Sequence, residues 1–236
     1  MVEGPKLLDE ATRAGALVDT VFVEAGFDLD AARPWPAGTV VEVERGVLAR
    51  AGDARTPQGV AAIVGMVDVP LGTAVDGGAA LTVLCAGLQD PGNAGSVVRA
   101  AAAAGASAVV FTSGAVDAYN PKAVRASAGA VFRVPLVAAA EASAALHHLA
   151  RRGIRRVAAV PRGGRDYSGL DMTGPIALVL GSESHGIPPD IAGLLDDTVS
   201  IPMRRGVESL NVAMAAAVFC FEAARQREAA RPGRPG

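Results

Sequence analysis

The chain has 236 residues, half of them apolar, and a formal net charge of -2. That length accommodates one sizeable domain, or a domain plus a smaller one, and the apolar content excludes a disordered chain. The near-neutral charge supplies no general attraction to polyanions.

Apolar runs such as Ile176 to Leu180 end in Gly or Pro, far short of the ~20 residues of a membrane helix, so no membrane segment is expected. Cys85 and Cys220 lie inside apolar runs and form no ligand cluster. Free core thiols, no metal and a cytoplasmic location are therefore expected, and the first residues lack the apolar core of a secretory signal.

In chain order, a helical start spans Gly4 to Ala14. Strand-like runs follow at Asp19 to Glu24, Thr39 to Val43 and Gln58 to Val67. Pro70 to Gly78 is rich in breakers and reads as a linker, separating a first unit, 1–69, from a larger one, 79–228. The larger unit alternates: strand Ala80 to Cys85, helix Gly95 to Ala104, strand Ala108 to Thr112, a helix from Pro121 capped by Asn120, then strand Phe132 to Leu136. It continues with helix Glu141 to Arg152, strands Arg156 to Val160, Ile176 to Leu180 and Thr198 to Pro202, and a last helix from Ser209 to about Arg227. Such alternation predicts an α/β fold, a mainly parallel sheet with helices on both faces. The tail, 229–236, is expected to be disordered. Between Ala142 and Arg165 there is no acid, yet Arg151, Arg152, Arg155, Arg156, Arg162 and Arg165 fall there. The first two suit a helix C-terminus; the others are candidates for a phosphate-facing patch.

Three separated segments sit where apolar strands give way to turns: Asn93-Ala-Gly95-Ser-Val-Val-Arg99, Leu180-Gly181-Ser-Glu183-Ser-His-Gly186-Ile-Pro188, and Ile201-Pro-Met203-Arg-Arg-Gly206-Val-Glu-Ser209-Leu210-Asn211. Strand ends of this kind are where α/β proteins place ligand-binding backbone. In order and spacing the three resemble the SpoU (TrmH) branch of the SPOUT RNA methyltransferases. Asn120-Pro-Lys-Ala-Val-Arg125-Ala-Ser-Ala-Gly129 resembles the family's stretch between its first two motifs, and the likeness runs from about Leu81 to Arg227.

The resemblance implies a C-terminal deep trefoil knot, S-adenosyl-L-methionine as cofactor, RNA as substrate, ribose 2′-O-methyl transfer, rRNA in preference to tRNA, and a homodimer. It also makes 1–69 similar to the family's small L30e-like RNA-binding domain, here without its usual first helix, through truncation or a late-assigned start. By the same resemblance Arg99 is the principal catalytic residue, with Asn93 positioning its neighbours and Glu183 ordering the active-site chains. Ser209 and Asn211 stand beside the reacting ribose, while Gly181, Ile201, Met203 and Leu210 hold the cofactor. A guanidinium, with a pKa above about 12, is a poor general base, so Arg99 reads first as an electrostatic clamp. Capping alone is the competing account of Ser209. His185 lies outside the matching catalytic positions and reads as an exposed loop histidine. Arg205 departs from the family, where a small residue is usual. Along the last helix Val212, Ala216, Phe219 and Ala223, broadened by Val218 and Phe221, form a stripe for the core or a twofold interface.

Two other readings compete. Gln89 to Gly95 is a glycine turn between strand and helix, as in dinucleotide-dependent oxidoreductases, but it lacks G-x-G-x-x-G and an acid closing the next strand. A non-catalytic RNA-binding paralogue would keep the fold without needing Asn93, Arg99, Glu183, Ser209 and Asn211 together.

Overall fold

In the computed structural model, residues 1–28, 35–52, 56–78, 80–204 and 206–231 are described. Pro5 starts helix α1 (Pro5–Arg13), where a missing N–H costs nothing, and Leu7, Leu8 and Ala11 turn its buried face inward. That face packs on a four-stranded sheet in the order β1 (Val2–Glu3), β4 (Val60–Val64), β2 (Val18–Glu24), β3 (Ala37–Val43). A short helix α2 (Val47–Ala51) follows β3.

The stretch read as a linker carries a helix, α3 (Leu71–Val75), bracketed by Pro70 and Gly77-Gly78. Its last residue, Val75, is buried, and Asp76 binds His148 and Arg152 at 3.0 and 2.6 Å. Further contacts tie the two sheets together. Buried Glu10 accepts from Arg133 Nε at 2.7 Å, Glu3 pairs with Arg125 at 3.0 Å, and Val67 N–H donates to Tyr119 Oη at 3.1 Å.

The second sheet has seven strands, every pair parallel, in the order β7 (Leu136–Ala140), β6 (Ala108–Thr112), β5 (Leu81–Cys85), β10 (Ile176–Leu180), β8 (Arg155–Ala159), β11 (Asp197–Ser200), β9 (Arg165–Asp166). β5, β6 and β10 are buried along their whole length because both faces are covered, which is why their sequences read as unbroken apolar runs. Val83, Val109 and Leu178 share a core with α4 (Pro91–Ala103), α5 (Pro121–Ser127) and α8 (Val212–Ala229). Leu84, Val110 and Val179 face α3, α6 (Ala142–Arg151) and α7 (Pro189–Ala192).

Three boundaries depart from expectation. No strand forms at Phe132 to Leu136: Ala130–Phe132 is a 3-10 turn, and β7 begins only after Pro135, which has no N–H to give a ladder. Helix α4 starts at Pro91 rather than Gly95, because Asp90 accepts from Asn93 N–H and caps it. Helix α8 is capped by Asn211, whose Oδ1 accepts from Ala213 and Met214 N–H, so Ser209 stands outside the helix. Within α4, Gly95 lets α5 approach closely; a Cβ there would lie 2.1 Å from Ala123 O.

Candidate active site

The carboxyl ends of β5, β10 and β11 bring the three sequence segments together. Glu183 follows β10 and reaches the start of α4. Its carboxylate accepts from Asn93 Nδ2 at 2.9 Å and from the Gln89 and Asp90 N–H groups at 3.3 and 3.4 Å. Asn93 Oδ1 in turn accepts from Asn211 Nδ2 at 2.8 Å, and Asn211 caps α8. A carboxylate can only accept, so it fixes which way each amide in this chain points. Partial burial pushes the Glu183 carboxyl up, but the hydrogen bonds from Asn93, Gln89 and Asp90 outweigh it and hold the group below its ordinary range.

Asp90, Gln89 and Lys122 support this arrangement and are not singled out by sequence reasoning. The N–H of Asn93 and the Lys122 ammonium hold the Asp90 carboxyl below its usual range, with Lys122 Nζ 3.1 Å away. Gln89 Nε2 donates to the Gly87 and Gly114 carbonyls, joining two loops. Asp90 was legible as a cap, one residue before a proline and ahead of an apolar periodic run.

Beside the chain of amides lies a cavity of about 650 Å³. Gly181, Ile201, Met203 and Leu210 line it, as do Ser209 and Asn211, with Leu180 and Phe219 at its apolar base. Gly181 is needed for a different reason than ligand approach alone: a Cβ there would sit 2.2 Å from the Gly186 backbone, which folds back to pair with Ser182. His185 is exposed and also lines the cavity.

Arg99 sits on the exposed side of α4, outside the cavity lining, and its side chain has no hydrogen bond or ion pair among the described residues. Most of the arginine cluster is otherwise engaged. Arg156 grips Asp196 through Nε at 2.8 Å and Nη2 at 2.5 Å, Arg152 binds Asp76, Arg155 donates to Asp171 O, and Arg165 stands 3.5 Å from Asp197. Of the four arginines expected to form a phosphate-facing patch, Arg156, Arg162 and Arg165 stand against Asp196, Glu208 and Asp197, and Arg155 is held by a backbone carbonyl. Arg205 and residues 232–236 lie outside the described residues.

Among the described residues no group of three or more His, Cys, Asp or Glu could hold a metal ion. No helix among them is long and apolar enough to cross a membrane. Cys85 and Cys220 are free and buried; burial raises both thiols, Cys220 to about 12.

Residues 80–221, more than half of the chain, match the SpoU rRNA Methylase family. The chain belongs to that family. Residues 1–62 match the MRM3-like substrate binding domain. The SpoU-family chain is 30% identical to "rRNA methyltransferase 3, mitochondrial" of Mus musculus, over 96% of its own length and 67% of the relative's. It is 29% identical to the 23S rRNA (guanosine(2553)-2′-O)-methyltransferase RlmP of Bacillus subtilis, over 94% of its own length and 86% of the relative's. Among solved structures it resembles the SpoU methyltransferase AviRb of Streptomyces viridochromogenes in complex with AdoMet, with a TM-score of 0.83 and 29% identity over 98% of this chain and 91% of that one.

Proposed function

We propose that this SpoU-family chain transfers a methyl group from S-adenosyl-L-methionine to a ribose 2′-hydroxyl of RNA, and that the RNA is ribosomal rather than transfer RNA. The observation that carries the reading is the Glu183–Asn93–Asn211 chain on the rim of a cavity of about 650 Å³, a volume within the usual range for cofactor sites. The relatives named as rRNA methyltransferases support the substrate class, and the AdoMet complex of AviRb supports the cofactor.

The cavity fits that cofactor: its walls are apolar at Ile201, Met203 and Leu210, where adenine would stack, with loop backbone at Gly181 and Gly186 beside them. When bound, the cofactor supplies a methyl group activated on a sulfonium. The chain's own residues supply orientation and charge. Asn93 and Asn211, held in one orientation by Glu183, fix the two helix starts between which the ribose would lie. Arg99, unpaired on the exposed side of α4, would clamp the RNA phosphate and stabilise the hydroxyl as it loses its proton. Ser209, free of helix capping, can hydrogen-bond the ribose.

The same reading assigns 1–69 to RNA binding, 70–78 to the connection and 79–228 to methyl transfer, in keeping with two separate sheets. It includes a trefoil knot in the chain after β10, which is inserted between β5 and β8. A homodimer through α8 accounts for Met214 and Phe221, large apolar side chains 62% and 52% exposed on that helix. A cytoplasmic site of action is in keeping with the free thiols.

The test is calorimetric titration with S-adenosylmethionine, followed by mapping of labelled methyl in total RNA from a strain lacking the gene. Saturable binding and label on one rRNA ribose are expected. No binding at millimolar cofactor, or label confined to tRNA, would overturn the corresponding part of the reading.

A further inference from the structure

The proposed cofactor brings a carboxylate as well as its positive charges, and an anion taken from water into a pocket needs hydrogen-bond donors to replace its hydration. Of the side chains lining the cavity among the described residues, only Glu183 and His185 can carry charge. Glu183 has the wrong sign, and its oxygens are committed to Asn93, Gln89 and Asp90. Asn211 spends its Oδ1 on the first N–H groups of α8 and one of its two Nδ2 hydrogens on Asn93, and it carries no charge to offer an anion. The His185 ring has no hydrogen-bond partner among the described residues.

The backbone beneath that ring is held firmly. Ser182 and Gly186 exchange two hydrogen bonds, at 2.9 and 3.0 Å, which close a tight loop over Glu183, Ser184 and His185. The His185 N–H donates to Ser182 Oγ at 3.0 Å, and the absent Cβ at Gly181 leaves room for the fold-back. One loop therefore anchors itself to α4 through Glu183 while presenting His185 to the cavity.

We infer that His185 binds the carboxylate of the cofactor's amino-acid moiety and so selects S-adenosyl amino acids over other adenosyl compounds. The inference rests on the cofactor reading above. Ser184 and Ser209 also offer hydroxyls to the cavity, but among its described lining side chains only the His185 imidazole combines an uncommitted N–H donor with the capacity for positive charge.

The test compares two ligands by calorimetry: S-adenosylhomocysteine, and S-(5′-adenosyl)-3-thiopropylamine, which lacks only the carboxylate. Wild type should bind both, the first more tightly. His185→Ala should weaken S-adenosylhomocysteine by about 10-fold or more and leave the decarboxylated ligand within about 2-fold, the size expected for a hydrogen bond to a charged group. His185→Gln, which keeps a neutral donor, should fall between. Because His185 is exposed, neither variant should change the thermal midpoint, and that measurement separates lost binding from lost folding. Equal weakening of both ligands, or of neither, would overturn the role of His185. Failure of wild type to bind either ligand would instead overturn the cofactor reading on which the role depends.

Discussion

Glu183→Gln removes one charge and almost no volume, yet it attacks the polarity of the whole amide chain. As an acceptor-only group, Glu183 requires Asn93 to present Nδ2 to it; Asn93 then presents Oδ1 to Asn211, and Asn211 keeps Oδ1 for the cap of α8. A glutamine amide has a donor end as well, so Asn93 could reverse, and Asn211 could then satisfy Asn93 only by turning its oxygen away from Ala213 and Met214. Loss of a hydrogen bond to a charged group costs about 1.5–3 kcal/mol when buried. Glu183 is exposed, and two of its three contacts are long at 3.3 and 3.4 Å, so solvent screening reduces the expected loss at neutral pH to about 0.5–1 kcal/mol. The sign with pH follows from the direction of the shift. The carboxyl is held below its ordinary range, so its stabilisation is present above the unfolded value of about 4.3 and is lost as pH falls through the lower folded value. Urea unfolding of both proteins from pH 7 down to about 3.5 should show the gap narrowing in acid. Equal stability at pH 7, or a gap that stays constant into acid, would refute the argument that an ionised Glu183 sets the orientation of Asn93 and Asn211.

Arg99→Ala should keep cofactor affinity while single-turnover methyl transfer falls by about 10²-fold or more, and Arg99→Lys should not restore it fully; near-wild-type transfer would remove Arg99 from the reaction. Replacing Met214 and Phe221 together with aspartate should yield a folded monomer by light scattering, and a monomeric wild type at micromolar concentration would count against the dimer. Phe219 is left untouched in that test because it is 3% exposed and packs edge-on to Tyr167 at 6.1 Å, so charging it would damage the core rather than an interface. Gly95→Ala should destabilise by about 1–3 kcal/mol despite alanine's better helix propensity, since the new methyl would meet Ala123 O at 2.1 Å and Ala126 Cβ at 2.7 Å; an unchanged urea midpoint would refute close α4–α5 packing.

The parallel sheet was legible because β5, β6 and β10 are buried on both faces and so read as unbroken apolar runs between turns. Sequence periodicity could say nothing of strand order: β10 enters between β5 and β8, and no local signal encodes which neighbours a buried strand takes. The packing of 70–78 was hidden for a related reason. Its breakers are real, but Asp76 finds His148 on α6 and Arg152 at its end, more than seventy residues away, and Val75 joins the core cluster that includes Leu146 and Leu149.

Charge misled where it was read locally. The stretch from Ala142 to Arg165 has no acid of its own, and the acids that neutralise Arg152, Arg156 and Arg165 come from Asp76, Asp196 and Asp197. At the candidate site the same separation in sequence works the other way. Asn93, Glu183 and Asn211 were singled out by motif, but the reason they must occur together is a hydrogen-bond chain spanning 90 and 118 residues of sequence. Asn211 also displaced Ser209 as the cap, since both are good capping residues and only the side chain that can bond Asn93 while accepting from α8 satisfies both demands. Ser209 is thereby left with an uncommitted hydroxyl on the cavity wall, a position that helix capping no longer explains.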